Sequence, residues 1–226
     1  MASLTPTIPR GFEGGGDFTD YTGRLRRARL ALVVLVTPIF MLFVSFTSAY
    51  IFRQGLPTLD ERSGQYVSDW ITIALPLRLL LVNSFILVLS TITMELARRQ
   101  MARRTVLTGV QGIPGVSMAE KRWPWLPITV ALGFAFLAGQ WMAWRQLAAR
   151  GIYVGTTPSS SFAYLLTASH AAHLLGGIVA LLAALALSLR GRQPERQYII
   201  VDAASWYWHF MALLWIYIFG LLYFAR

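Results

Sequence analysis

His170, His173 and His209 are the only histidines of this 226-residue chain, and their spacing is the first feature in it that could support chemistry. His170 and His173 stand one turn apart on one long apolar stretch, and His209 lies on the next. At about 1.5 Å rise per residue, the axial offset between His173 and His209 is on the order of 5 Å. One imidazole from each of two helices is what a bis-histidine haem needs. The competing reading is structural, with the three imidazoles hydrogen-bonded between helices four and five. The second reading is preferred here, because Ala168, Ala172, Gly176, Ala180 and Ala184 form a small-residue ladder at i+4. Such ladders mark close helix packing and leave little room for a macrocycle. A metal site would need carboxylates or further imidazoles at the same depth, and the sequence offers none there. Without cysteine, disulfides, thiolate metal sites and cysteine nucleophiles are excluded.

Glu95 is the one acid inside the apolar runs, with Arg98 and Arg99 one turn on. Side chains at i,i+3 and i,i+4 form ion pairs at a helix surface. The functional alternative places Glu95 near a proton entrance. Asn83 and Ser84, Gln140, and Ser45, Thr47 and Ser48 bring hydrogen-bonding groups from three stretches to one depth. They read as interhelical glue, worth on the order of 0.6 kcal/mol per bond, with a solute path as the sharper alternative. A proton relay would need carboxylates across the bilayer, and the mid-membrane layer has none.

The elements that position these residues follow from composition. The chain is 56% hydrophobic and 13% charged, against roughly 45–50% and about 25% for a soluble domain. A bilayer core takes about 20 apolar residues per helix, and five stretches qualify: about 30–52, 71–96, 125–144, 162–189 and 203–224. Pro76 belongs to the first turn of the second helix, which lets Arg78 snorkel to the interface. The expected fold is therefore an all-α membrane protein of five transmembrane helices. Residues 1–28 read as a flexible cytoplasmic tail, with Gly14-Gly15-Gly16 in it, and residues 29–226 as one membrane domain. The first 28 residues contain no apolar segment of a signal peptide.

Twenty basic residues sort unevenly over the loops. Fourteen fall in the N-terminal segment and the second-to-third and fourth-to-fifth loops, and six fall on the other side. The positive-inside rule then makes the N-terminus cytoplasmic and places the C-terminus outside. The net charge of +10 is thus written as topology and gives no sign of nucleic-acid binding. The eight tryptophans mostly sit where helices meet water, as an aromatic belt. The run Trp206-Tyr207-Trp208-His209 is denser than a belt requires and suggests a packing site for a lipid or a partner helix.

Five segments, in order, resemble subunit III of haem–copper terminal oxidases. Trp206-Tyr207-Trp208-His209-Phe210 with Trp215 resembles the family's closing W-H-F…W motif. Thr167, His170, His173 and Gly177 resemble its T-G-x-H-x-x-H…G helix, with Ala168 where that motif has its first glycine. Gly133 to Gln140 resembles G-x-x-F-L-x-x-Q, Asn83 to Met94 the L-N-T…S-S-x-T-M helix, and Ala49-Tyr50 with Arg53 the end of the glutamate-bearing helix. The resemblance covers about residues 24–226, and five helices in place of seven match the short bacterial form. Three carboxylates of the family pattern are replaced, by Ile39, Ala143 and Ala212.

The resemblance implies an accessory subunit with no catalytic, cofactor or metal residue of its own, the haems and copper belonging to partner subunits. Its expected partners are oxidase subunits I and II and phospholipids, and its expected location is the bacterial plasma (inner) membrane. On this reading His170, His173, His209, Asn83 and Gln140 are interhelical packing residues. Arg98, Arg99 and Trp208 are candidates for lipid-headgroup or interfacial contacts, and Glu95 for the vicinity of proton entry. A quinol oxidase or nitric oxide reductase partner, a single-haem b cytochrome and a small transporter stay open.

Overall fold

The structure is a computed structural model and describes residues 15–59, 64–67, 70–110, 124–189 and 194–224. Five helices account for nearly all of it: α1 (Gly15–Gln54), α2 (Leu77–Val110), α3 (Trp125–Ala149), α4 (Pro158–Leu189) and α5 (Pro194–Phe224). Each is long and apolar enough to cross a membrane, and a helix is one of two backbone forms that satisfy their own hydrogen bonds in lipid. Between α1 and α2, β1 (Thr58–Leu59) pairs antiparallel with β2 (Tyr66–Val67).

Local chemistry sets the helix ends. Pro76 stands just before α2, its carbonyl accepting the first helical bond from Leu80. At the start of α4, Thr157 Oγ1 accepts from the Ser160 amide while Ser160 Oγ accepts from the Thr157 amide. That reciprocal pair is a capping box closed by serine, with Pro158 at the first helical position. α3 stops at Gly151, whose φ of +75° turns the chain so that the amides of Gly151 and Ile152 reach back to Ala148 and Leu147.

α2, α3, α4 and α5 pack in a closed ring, each against two neighbours, and α1 lies outside it on α4 and α5. The ring is keyed by one residue. Trp208 is fully buried, and a Cβ on Gly133 of α3 would lie 2.9 Å from its indole, one on Gly177 of α4 3.4 Å. The same Gly177 position would meet the Tyr207 ring at 2.9 Å. These two glycines let α3 and α4 close around the paired aromatics of α5.

Two expectations change. The helix of α1 begins at Gly15, well before the tail boundary at residue 28, and residues 1–14 lie outside the described residues. The small-residue ladder is not the tight face of α4. Ala168, Ala172, Gly176 and Ala180 are exposed, and only Ala184 of the ladder is buried. Close approach needs a large partner as well as a small residue, and Trp208 and Tyr207 face Gly177.

Candidate functional site

At one end of the bundle, charges from three helices meet. Glu95 on α2 accepts from Arg98 Nε at 2.8 Å and Nη2 at 2.9 Å, and from Arg99 Nε at 2.7 Å. Arg98 also donates through Nη1 to Asp202 on α5 at 3.3 Å. The other oxygen of Asp202 accepts from Arg29 Nε on α1 at 3.1 Å. His209 Nε2 lies 3.8 Å from Glu95. The Asp202 side chain is only 1% exposed, so a desolvated carboxylate is held by two guanidiniums, the condition under which a buried charge is tolerated. Arg99 is 68% exposed and is the cation of this group turned most to the surroundings. Arg98 has its guanidinium shared between two acids, so its first role is to join α2 to α5.

The helices are joined at other depths by one repeated device. Ser84, Thr47 and Thr167 each donate to the carbonyl four residues back, Leu80, Phe43 and Ala163. A hydroxyl has one proton, so each of these can only accept from a neighbouring helix. The acceptors are met by obligate or available donors: Trp215 Nε1 on Ser84 at 2.9 Å, Tyr217 Oη on Thr47 at 3.0 Å and Trp144 Nε1 on Thr167 at 3.1 Å. Trp208 Nε1 likewise donates to Ser90 Oγ at 3.0 Å, and Thr93 meets Thr129 across α2 and α3.

The residues expected to be the glue behave differently. His170 is fully buried, packed on Phe136 and Trp215, and neither ring nitrogen has a hydrogen-bond partner in the protein. His173 bonds through Nδ1 to Ser169 of its own helix and packs on Phe43 of α1. The α4–α5 hydrogen bond at this point joins Tyr207 Oη to the His173 backbone carbonyl. His209 lies beside Glu95 on α2. The three imidazoles therefore serve different neighbours: His170 packs on Trp215 of α5, but among the described residues no ring nitrogen makes a hydrogen bond between α4 and α5. The haem alternative needed a gap between those helices, where Gly177 and Tyr207 are in contact. Asn83 and Gln140 are buried, with both amide atoms of Asn83 and Oε1 of Gln140 unpartnered. Trp208 is the bundle key described above and is shielded from any lipid headgroup.

Asp202 is the residue that sequence reasoning missed. The fifth apolar run was started at Ala203, which left the acid outside, whereas α5 begins eight residues before Asp202. The available signal was its place seven residues before His209, two helical turns along the same face. Ile39, Ala143 and Ala212 are partly or fully buried, so the acid-bearing positions of the family pattern hold packing residues here. Among the described residues, no three His, Asp or Glu side chains gather as a metal-ligand group.

The family model for cytochrome c oxidase subunit III matches residues 19–226. The chain belongs to that family. The cytochrome c oxidase subunit 3 of Synechocystis sp. is 31% identical over 182 residues, 79% of this chain and 66% of its own length. A probable cytochrome c oxidase subunit 3 of Mycobacterium leprae is 31% identical over 102 residues, 45% of this chain and 50% of its own. A Thermostichus vulcanus relative, cytochrome c oxidase subunit 3, is 34% identical over 104 residues, 46% and 49% of the two chains. The chain thus spans about half the length of most of the curated relatives it matches. For a subunit III family member, the ring of α2–α5 and the outlying α1 are the framework that presents the charged end.

Proposed function

We propose that the chain is the accessory subunit III of an aerobic respiratory haem–copper oxidase, seated in the bacterial plasma membrane with its N-terminal end in the cytoplasm. In this reading it docks on subunit I in a complex that also contains subunit II, holds phospholipid at its charged end and supports stable turnover and proton uptake. Haems and copper reside in the partner subunits, and the complex takes electrons from cytochrome c. The observation that carries the reading is the family match across residues 19–226 on a five-helix membrane bundle. Arg99, exposed above Glu95, is the residue best placed for a lipid phosphate. Support for proton uptake is expected to be indirect, through keeping subunit I in place, because the Glu95 carboxylate is already engaged by two arginines.

The test is a mild-detergent pull-down of the tagged chain, followed by a reduced-minus-oxidised spectrum and mass spectrometry. The expected outcome is a co-purifying large subunit with haem and copper. Isolation of the chain alone and colourless, under conditions that keep it folded, would overturn the proposal.

A further inference from the structure

We propose that α1 is a two-part arm, its N-terminal half swinging about Pro38 and latched to the ring by Asp202. The two halves are held in different ways. Among the described residues, the hydrophobic side chains of α1 that pack on the core are Ile39, Phe43, Phe46 and Tyr50, all of them after Pro38. Thr47, which bonds Tyr217 of α5, is on that side too. From residue 23 to residue 42 none is buried. Leu25, Ala28, Leu32 and Val36 continue the inward face at i+3 and i+4 spacing and are half-buried. They face the ring without joining its core, so lifting them away forfeits little packing.

The chemistry at the junction weakens the helix there. Pro38 has no amide proton, so the Val34 carbonyl loses its helical donor, and the proline ring presses on that same carbonyl. Val34 is 72% exposed, and lipid offers no donor in place of the missing amide. Thr37 Oγ1 donates to the Val33 carbonyl at 2.8 Å, a back-bond that favours bending. Sharp helix bends occur mostly at proline, and this proline falls between the packed half and the loose one.

The latch can open without stranding a charge. Arg29 Nε reaches one oxygen of Asp202 at 3.1 Å, and Arg98 Nη1 reaches the other at 3.3 Å. When Arg29 leaves, the buried carboxylate keeps Arg98 as its partner. The Arg29 side chain is 49% exposed and can turn to water at the interface. Arg29 stands about 14 Å along the helix from Pro38. A bend of about 20° at Pro38 would carry it roughly 5 Å, enough to part the ion pair.

Distances between paired spin labels test this in the full chain in lipid nanodiscs. The chain has no cysteine, so labels attach only where cysteine is introduced. One pair joins Leu30 of α1 to Phe134 of α3 and the other Ile51 of α1 to Met142 of α3, all four positions being exposed. Asp202→Asn should widen the first distribution by about 4 Å, the swing of Leu30 about Pro38, and leave the second unchanged. Arg29→Gln, which spares the Asp202–Arg98 bond, should do the same. Adding Pro38→Ala to either variant should restore the narrow distribution, because the helix is then continuous and its packed half fixes its direction. Equal widening of both pairs would mean that α1 moves as a rod and would overturn the proposal. So would widening that survives Pro38→Ala, or no widening in either latch variant.

Discussion

α1 and the α2–α5 ring are both made of apolar helices of spanning length, yet they are held in opposite ways. In the most apolar stretch of α1, 11% of residues are buried, against 33–39% in the other four helices. The ring closes by shape, with Trp208 set between Gly133 and Gly177. α1 has no such key. Its attachments include Arg29 to Asp202 near one end and Thr47 to Tyr217 towards the other, with Phe43 against His173 between them. In lipid an apolar contact between helices competes with equally apolar tails, so packing must be tight to count. A helix with loose packing is then fixed in register mainly by its polar pins. The contrast predicts that variants of the ring change stability, whereas variants of the pins change where α1 sits.

The largest effect should come from the ring. Trp208→Ala removes a fully buried indole, its bond to Ser90 and the filler against two glycines. A loss of about 3–5 kcal/mol is expected, read as a lower unfolding midpoint in detergent titration. Spin labels across α1 and α5 should show little change in mean distance before that midpoint. A stable ring with a displaced α1 would reverse the comparison.

Much of this ring was legible in the sequence, and the reasons are physical. Runs of apolar residues and the clustering of arginine report on the solvent around a helix, so all five helices could be placed from them. Partner choice depends on rotation about the helix axis, and the i+4 ladder on α4 gave the wrong face because Gly177, one residue off it, meets Tyr207. Histidine, asparagine and glutamine looked like the polar glue because they carry the most hydrogen-bonding atoms. The bonds went instead to serine and threonine: Ser84, Thr47 and Thr167 use their only proton within their own helix and accept from tryptophan or tyrosine, while Ser90 accepts from Trp208 and donates to the Thr129 carbonyl of α3. Asp202 was hidden by starting the span just after the acid, although Ile199, Ile200 and Val201 before it are already apolar. A buried carboxylate reads as a boundary in one dimension and as a joint in three.

Asp202→Asn sharpens the comparison at the charged pin. The substitution keeps the volume and removes the charge that holds Arg29 and Arg98. Both guanidiniums are partly exposed, at 49% and 30%, and can turn to water or to Glu95, so the cost should be about 1–3 kcal/mol. The expected readout is a wider distance distribution between spin labels at the Arg29 end of α1 and the start of α5. An unchanged distribution would mean that packing against α4 and α5 positions α1 without the pin.

The smallest effect belongs to the neutral pin. Thr47 Oγ1 donates to the Phe43 carbonyl at 2.8 Å and accepts from Tyr217 Oη at 3.0 Å. Interhelical hydrogen bonds in membranes average about 0.6 kcal/mol, so Tyr217→Phe alone should cost about that much. Thr47→Val removes the acceptor of the same bond and leaves the tyrosine proton facing an apolar surface, so its cost should be at least as large. The double variant should then cost no more than Thr47→Val by itself, because the phenylalanine also removes the stranded proton. This non-additivity is the signature of a shared bond, and it can be measured as a double-mutant cycle on the unfolding midpoint. Additive losses would show that the two residues act separately and that this bond does not pin α1.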